Sequence, residues 1–120
     1  MSGESVVERL CSIPVDFHKQ QNVSAVRLME RSGYLETPEV LTVENLKPYL
    51  ARHRDLIDRW IQWSEDQRSH PAWVFGRGQA GYFLYCIPAN GEDYVFDDGC
   101  QACAEFIIRV VRQWAQFAKP

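Results

Sequence analysis

Apolar and polar residues alternate along this chain with two different periods, and the change between them divides it into parts. Residues 3 to 13 (GESVVERLCSI) place Val6, Val7, Leu10 and Ile13 at helical spacing, with Pro14 expected to stop the run and residues 14 to 21 to form a connection. A second helix is predicted from an N-cap at Asn22 through Val26 and Met29 to Ser32, with Gly33 suited to the left-handed position after it. Thr37-Pro38-Glu39 resembles a helix start but is followed by little apolar material, so a single helical turn is expected. Thr42 can cap the next element. After a short turn forced by Pro48, the main helix is predicted from Pro48 to Gln67. Its apolar stripe would be Tyr49, Leu50, Leu56, Ile57, Trp60 and Ile61, with Trp63 at the margin.

The period then falls to two. AWVF (72–75), GYFLYCIP (81–88) and DYVFD (93–97) read as three strands, joined by GRGQA and ANGE. Asn90-Gly91 is a strong hairpin signal, because both residues tolerate positive φ. In the middle strand Tyr82, Leu84 and Cys86 point to one face, and Phe83, Tyr85 and Ile87 to the other. Helices would cover one face and leave aromatics on the other for a partner. Helical spacing returns from Asp97 or Asp98, in the stripe Cys100, Cys103, Phe106, Ile107, Val110, Trp114 and Phe117. Residues 1–120 therefore read as a single α+β domain. It has N-terminal helices, a long central helix, a three-stranded antiparallel meander and a C-terminal helix packed on the sheet.

Composition narrows the function more than the fold. A net charge of −3 argues against nucleic-acid binding, which needs a basic stripe to displace counterions. The best candidate stripe, Arg52, His53, Arg54 and Arg59, is interrupted by Asp55 and Asp58. The (i, i+4) spacings Arg54–Asp58 and Asp55–Arg59 predict a salt-paired, solvated helix face instead. No run reaches the roughly 18 apolar residues of a membrane span, and the first residues have no signal-peptide pattern, so a cytoplasmic location is expected.

Two motifs imitate catalytic sites. Cys100-Gln101-Ala102-Cys103 at a helix start would suit a dithiol redox site, since a helix N-terminus stabilises a thiolate. It follows a meander rather than a βαβ strand, lies on the core stripe, and is preceded by Asp97 and Asp98, which oppose thiolate formation. Buried structural thiols are the preferred reading, with a redox protein using Cys100 and Cys103 kept as an alternative. Gly76-Arg77-Gly78-Gln79-Ala80-Gly81 spells a dinucleotide fingerprint, but it joins two strands and has no helix N-terminus to hold a phosphate. A hairpin loop is expected there. Cys11, Cys86, His18, His53 and His70 form no paired metal motif. No metal, cofactor or catalytic residue is predicted.

From Leu56 to Val111 the chain resembles a group of small bacterial proteins. The shared elements are a helix carrying Trp60, Trp63, Ser64, Glu65 and Arg68, a strand Trp73-Val74-Phe75, and the helix start Phe96-Asp97-Asp98-Gly99-Cys100-Gln101-Ala102-Cys103-Ala104-Glu105-Phe106-Ile107. Proteins of this look are similar to immunity proteins that neutralise antibacterial toxins passed between competing cells, as in type VI secretion. The resemblance implies a cognate toxin as partner, encoded by an adjacent gene and capped stoichiometrically without catalysis. On that reading Glu92, Asp93, Asp97 and Asp98 would meet basic toxin residues and Tyr85 or Trp63 would anchor the contact, with Glu65 and Asp66 adding negative charge. Acidic charge suits a nuclease or nucleotide-using toxin, whose site is basic. An intracellular adaptor for a regulatory partner is the alternative binder.

Overall fold

The computed structural model describes residues 3–19, 24–66, 72–87 and 93–118. Six α-helices and three strands follow one another along these residues. They are α1 (Gly3–Cys11), α2 (Ile13–Lys19), α3 (Ala25–Arg31), α4 (Val43–Arg52), α5 (Asp55–Asp66), β1 (Ala72–Gly78), β2 (Gly81–Ile87), β3 (Tyr94–Phe96) and α6 (Gly99–Ala118). Two 3₁₀ turns, Tyr34–Glu36 and Pro38–Val40, link α3 to α4. The second is the lone helical turn expected at Thr37-Pro38-Glu39. The strands form an antiparallel meander in the order β1-β2-β3, and α6 packs against it. The expected α+β architecture is therefore the one the chain adopts.

Several boundaries differ from the sequence reading, each for a local reason. Pro14 does not end the helical run. It sits in the first turn of α2, where its missing N–H would have had no intrahelical partner anyway, so residues 14–19 are helix rather than connection. Asn22 lies outside the described residues, and Ser24 caps α3 by accepting a hydrogen bond from the Arg27 N–H at 3.1 Å. Gly33 takes φ 94°, the left-handed conformation expected after α3. Thr42 caps α4, its Oγ1 accepting from Asn45 N at 3.2 Å.

The predicted long helix is two. α4 runs through Pro48 because Leu46 and Leu50, on its other side, are fully buried, and that burial outweighs one lost backbone hydrogen bond. The break comes at His53, whose N–H bonds back to Leu50 O. It redirects the chain so that α4 packs on α1 and α6 while α5 packs on β1. What reads as a single apolar stripe thus becomes two, each facing the core from its own axis. Neither of the ion pairs expected at Arg54–Asp58 and Asp55–Arg59 is among those formed by the described residues. Arg54 donates to Cys100 Sγ at 3.2 Å, and Asp58 pairs with Arg77 at 2.7 Å.

The glycine hexad is corrected too. Gly76, Arg77 and Gly78 belong to β1, pairing with Phe83, Tyr82 and Gly81, and the turn is only Gln79-Ala80. Asn90-Gly91 lies outside the described residues.

The core is built on packed aromatic rings, stacked at Phe75–Phe106 and edge-on at Trp60–Phe106. Trp60, Phe75 and Phe106 are fully buried, and Phe106 lies 5.3 Å from Phe75 and 5.8 Å from Trp60 between ring centroids. Trp60 also donates its indole N–H to Cys11 O at 2.8 Å, tying α5 to the end of α1. The N-terminal helices join the helical layer, with α1 against α4 and α3 against α6.

Candidate functional site

The meander has two unlike faces. Strand residues packed on the core are Trp73, Phe75, Tyr82, Leu84, Tyr94 and Phe96, and strand alternation puts all six on one side. Across it α6 and α5 fill the space. Arg109 of α6 lies between the rings of Trp73 and Tyr94, 5.1 and 4.8 Å from their centroids, and is held by Glu105 at 2.6 Å.

The opposite face carries Val74, Phe83, Tyr85, Ile87 and Val95, none of which packs on the buried core. Phe83 and Tyr85 stack at 5.8 Å and form its centre. Phe83 also lies flat over Gly76, where a Cβ would stand 2.3 Å from the ring, so the glycine is what lets the ring settle against the sheet. Val95 is 65% exposed, the most open of the large hydrophobic residues described. Val74, Phe83, Tyr85 and Ile87 around it are half-buried.

At the margin of the sheet β3 is flanked by Asp93 and Asp97, both exposed. Of the residues expected to meet a partner, Tyr85 thus lies on the open face, and Asp93 and Asp97 stand at the two ends of β3.

The other expected contact residues are placed elsewhere. Asp98 caps α6, accepting from Cys100 N at 2.9 Å, and pairs with Lys47 of α4 at 2.9 Å. The hydrogen bond from Lys47, helped by the backbone N–H groups of Cys100 and Gln101, holds the Asp98 carboxyl below its ordinary range. Trp63 is half-buried in an aromatic cluster, 5.3 Å from Trp114 and 5.9 Å from Trp60. Glu65 is exposed on α5, at a distance in sequence and element from the open face. Glu92 lies outside the described residues, as does the side chain of Asp66 at the end of α5. Val95 escaped the sequence reading. The alternation in Asp93-Tyr94-Val95-Phe96-Asp97 was the signal that could have found it.

The thiols are sheltered. Cys11, Cys100 and Cys103 are buried, and burial pushes the Cys103 thiol well up and that of Cys11 to about 12. A dithiol redox site needs the opposite shift and an open sulfur. Among the described residues, no cluster of three His, Cys, Asp or Glu side chains could hold a metal ion, and no helix is long and apolar enough to cross a membrane.

Comparison of the chain with protein-family models, with curated proteins and with solved structures finds no match.

Proposed function

We propose that this chain is a binding module that caps a cationic surface of another protein, in the manner of an immunity protein neutralising a toxin. The observation that carries the reading is the sheet face on which, among the described residues, no helix packs, aromatic at its centre and with carboxylates at the ends of its edge strand. Stacked rings supply contact area at small entropic cost and are favoured anchors of protein interfaces. Asp93 and Asp97 would speed encounter with a basic partner and select against acidic ones. Capping of this kind asks for no reacting groups, only a rigid support, and the α6 layer behind the sheet provides one.

The test is co-expression with the product of the adjacent gene. Restored growth, and a one-to-one complex on gel filtration, are the expected results. In that complex Phe83→Ala with Tyr85→Ala should weaken binding by about 2 kcal/mol or more, the range of interface hot spots. Rescue undiminished by these changes would move the contact off this face. Complex formation without growth rescue would favour an adaptor for a regulatory partner.

A further inference from the structure

We infer that the partner enters as an extended segment added to the free edge of β3, with a basic-x-apolar-x-basic pattern. The inference rests on the binding reading above and assigns it a geometry.

Phe75 N–H points away from β2, because it donates to Ser64 Oγ on α5 at 2.9 Å. In an antiparallel pair, residues alternate between bonding the neighbour and facing away from it. Phe75–Leu84 is therefore the non-bonded kind of pair, and Leu84 directs its N–H and C=O towards β3. Leu84–Tyr94 and Tyr82–Phe96 are then the bonded pairs, with Phe83–Val95 between them. Val95 accordingly turns both backbone groups to the outer edge. Among the described residues, no backbone hydrogen bond from outside the sheet reaches Asp93, Val95 or Asp97.

The two edges of the meander are treated differently. α5 packs on β1, with the buried Ser64 hydroxyl bonded to its edge, whereas among the described residues no backbone hydrogen bond from outside the sheet reaches Val95 of β3. An open edge is a template for another strand.

Charge decides which strand. Antiparallel pairing of two copies about Val95 would set Asp93 of each against Asp97 of the other, and like charges directly opposed destabilise a sheet. A second copy is thereby disfavoured. A segment with Lys or Arg opposite each aspartate and an apolar residue opposite Val95 is matched at all three positions. Its apolar side chain would continue the Phe83–Tyr85 surface across the enlarged sheet.

The probe is a short capped peptide carrying lysine, valine and lysine at alternate positions, with a glutamate-valine-glutamate counterpart. Binding to the full-length chain is followed by the Val95 amide resonance and its hydrogen exchange, and in every variant by the shifts of the neighbouring Tyr94 and Phe96 amides. The lysine peptide should slow exchange at Val95 by about tenfold or more at saturation, the sign of a new hydrogen bond. The glutamate peptide should not. Val95→Pro deletes the outward N–H at an edge position that tolerates proline, so its circular dichroism should match the parent while binding is lost. Val95→Thr keeps the N–H and should bind within about threefold of the parent. The inference is overturned if the lysine peptide leaves Val95 exchange unchanged at roughly 1 mM, the weak end of specific affinity. It is equally overturned if Val95→Pro binds like the parent. Should Val95→Pro be tolerated by the protein partner while Phe83→Ala and Tyr85→Ala are not, strand addition fails but the face remains the contact. Should all three be tolerated, both readings fail.

Discussion

Gly81 and Gly76 are both short of room, yet for different reasons. At Gly81, with φ 125°, a Cβ would stand 2.4 Å from the Phe96 carbonyl oxygen, a backbone atom held by the β2–β3 pairing. At Gly76 the obstacle is the far end of the half-buried Phe83 ring, which can swing aside at the expense of its stack on Tyr85. Gly81→Ala should therefore destabilise by roughly 2–4 kcal/mol, combining left-handed strain with a backbone clash. Gly76→Ala should destabilise by about 1 kcal/mol, the scale of a lost ring pair. Urea unfolding of the two variants checks the order, and a larger loss at Gly76 would mean that Phe83 is held more firmly than its exposure suggests. The hexad containing both glycines looks like one loop in the sequence. Only the register shows that Gly76 faces a ring and Gly81 a carbonyl.

At the level of elements, α6 depends on its first turn. Asp98 satisfies the Cys100 N–H and reaches Lys47, joining α4 to the start of α6. Its carboxyl is held lower in the folded chain than its ordinary 3.8, so its contribution is present above pH 4 and is lost as pH falls through the folded value. Asp98→Asn keeps a capping oxygen and loses the charge, and should reduce stability by only a few tenths of a kcal/mol because the pair is partly exposed. Asp98→Ala removes the cap as well and should reduce it by about 1 kcal/mol. Thermal unfolding between pH 3 and 7 would show the parent's advantage over Asp98→Asn shrinking below pH 4. An advantage independent of pH would assign the effect to the cap alone. Element types were legible because period and caps are local, as at Thr42 and Gly33. The break at His53 was not. Nothing in residues 48–67 shows that α4 must meet α1 and α6 while α5 meets β1.

For the molecule as a whole, the two faces of the sheet are unlike, and the proposed contact lies opposite the core. The core face packs on the aromatic cluster of Phe75, Phe106 and Trp60, and the open face holds Phe83, Tyr85 and Val95 outside that core. Substituting Asp93→Lys together with Asp97→Lys should leave stability within about 0.5 kcal/mol, as is usual for exposed positions. The same change should slow association with a basic partner by about tenfold or more at low salt, with the difference shrinking as salt is added. Denaturation and stopped-flow association measure the two halves separately. A large loss of stability would instead place these carboxylates in the fold's own support. The residue types of this surface were open to inspection from the start: alternation in β2 set Phe83, Tyr85 and Ile87 apart from Tyr82, Leu84 and Cys86, and the chain's acidity was plain in its composition. Local periodicity also determined the helices, the strands and their antiparallel order, since these follow from contacts between near neighbours in the chain. Which face of the sheet α6 covers, which aspartate is consumed as a cap, and which strand α5 packs on were decided by packing between residues far apart in sequence, and a one-dimensional pattern carries no record of such choices.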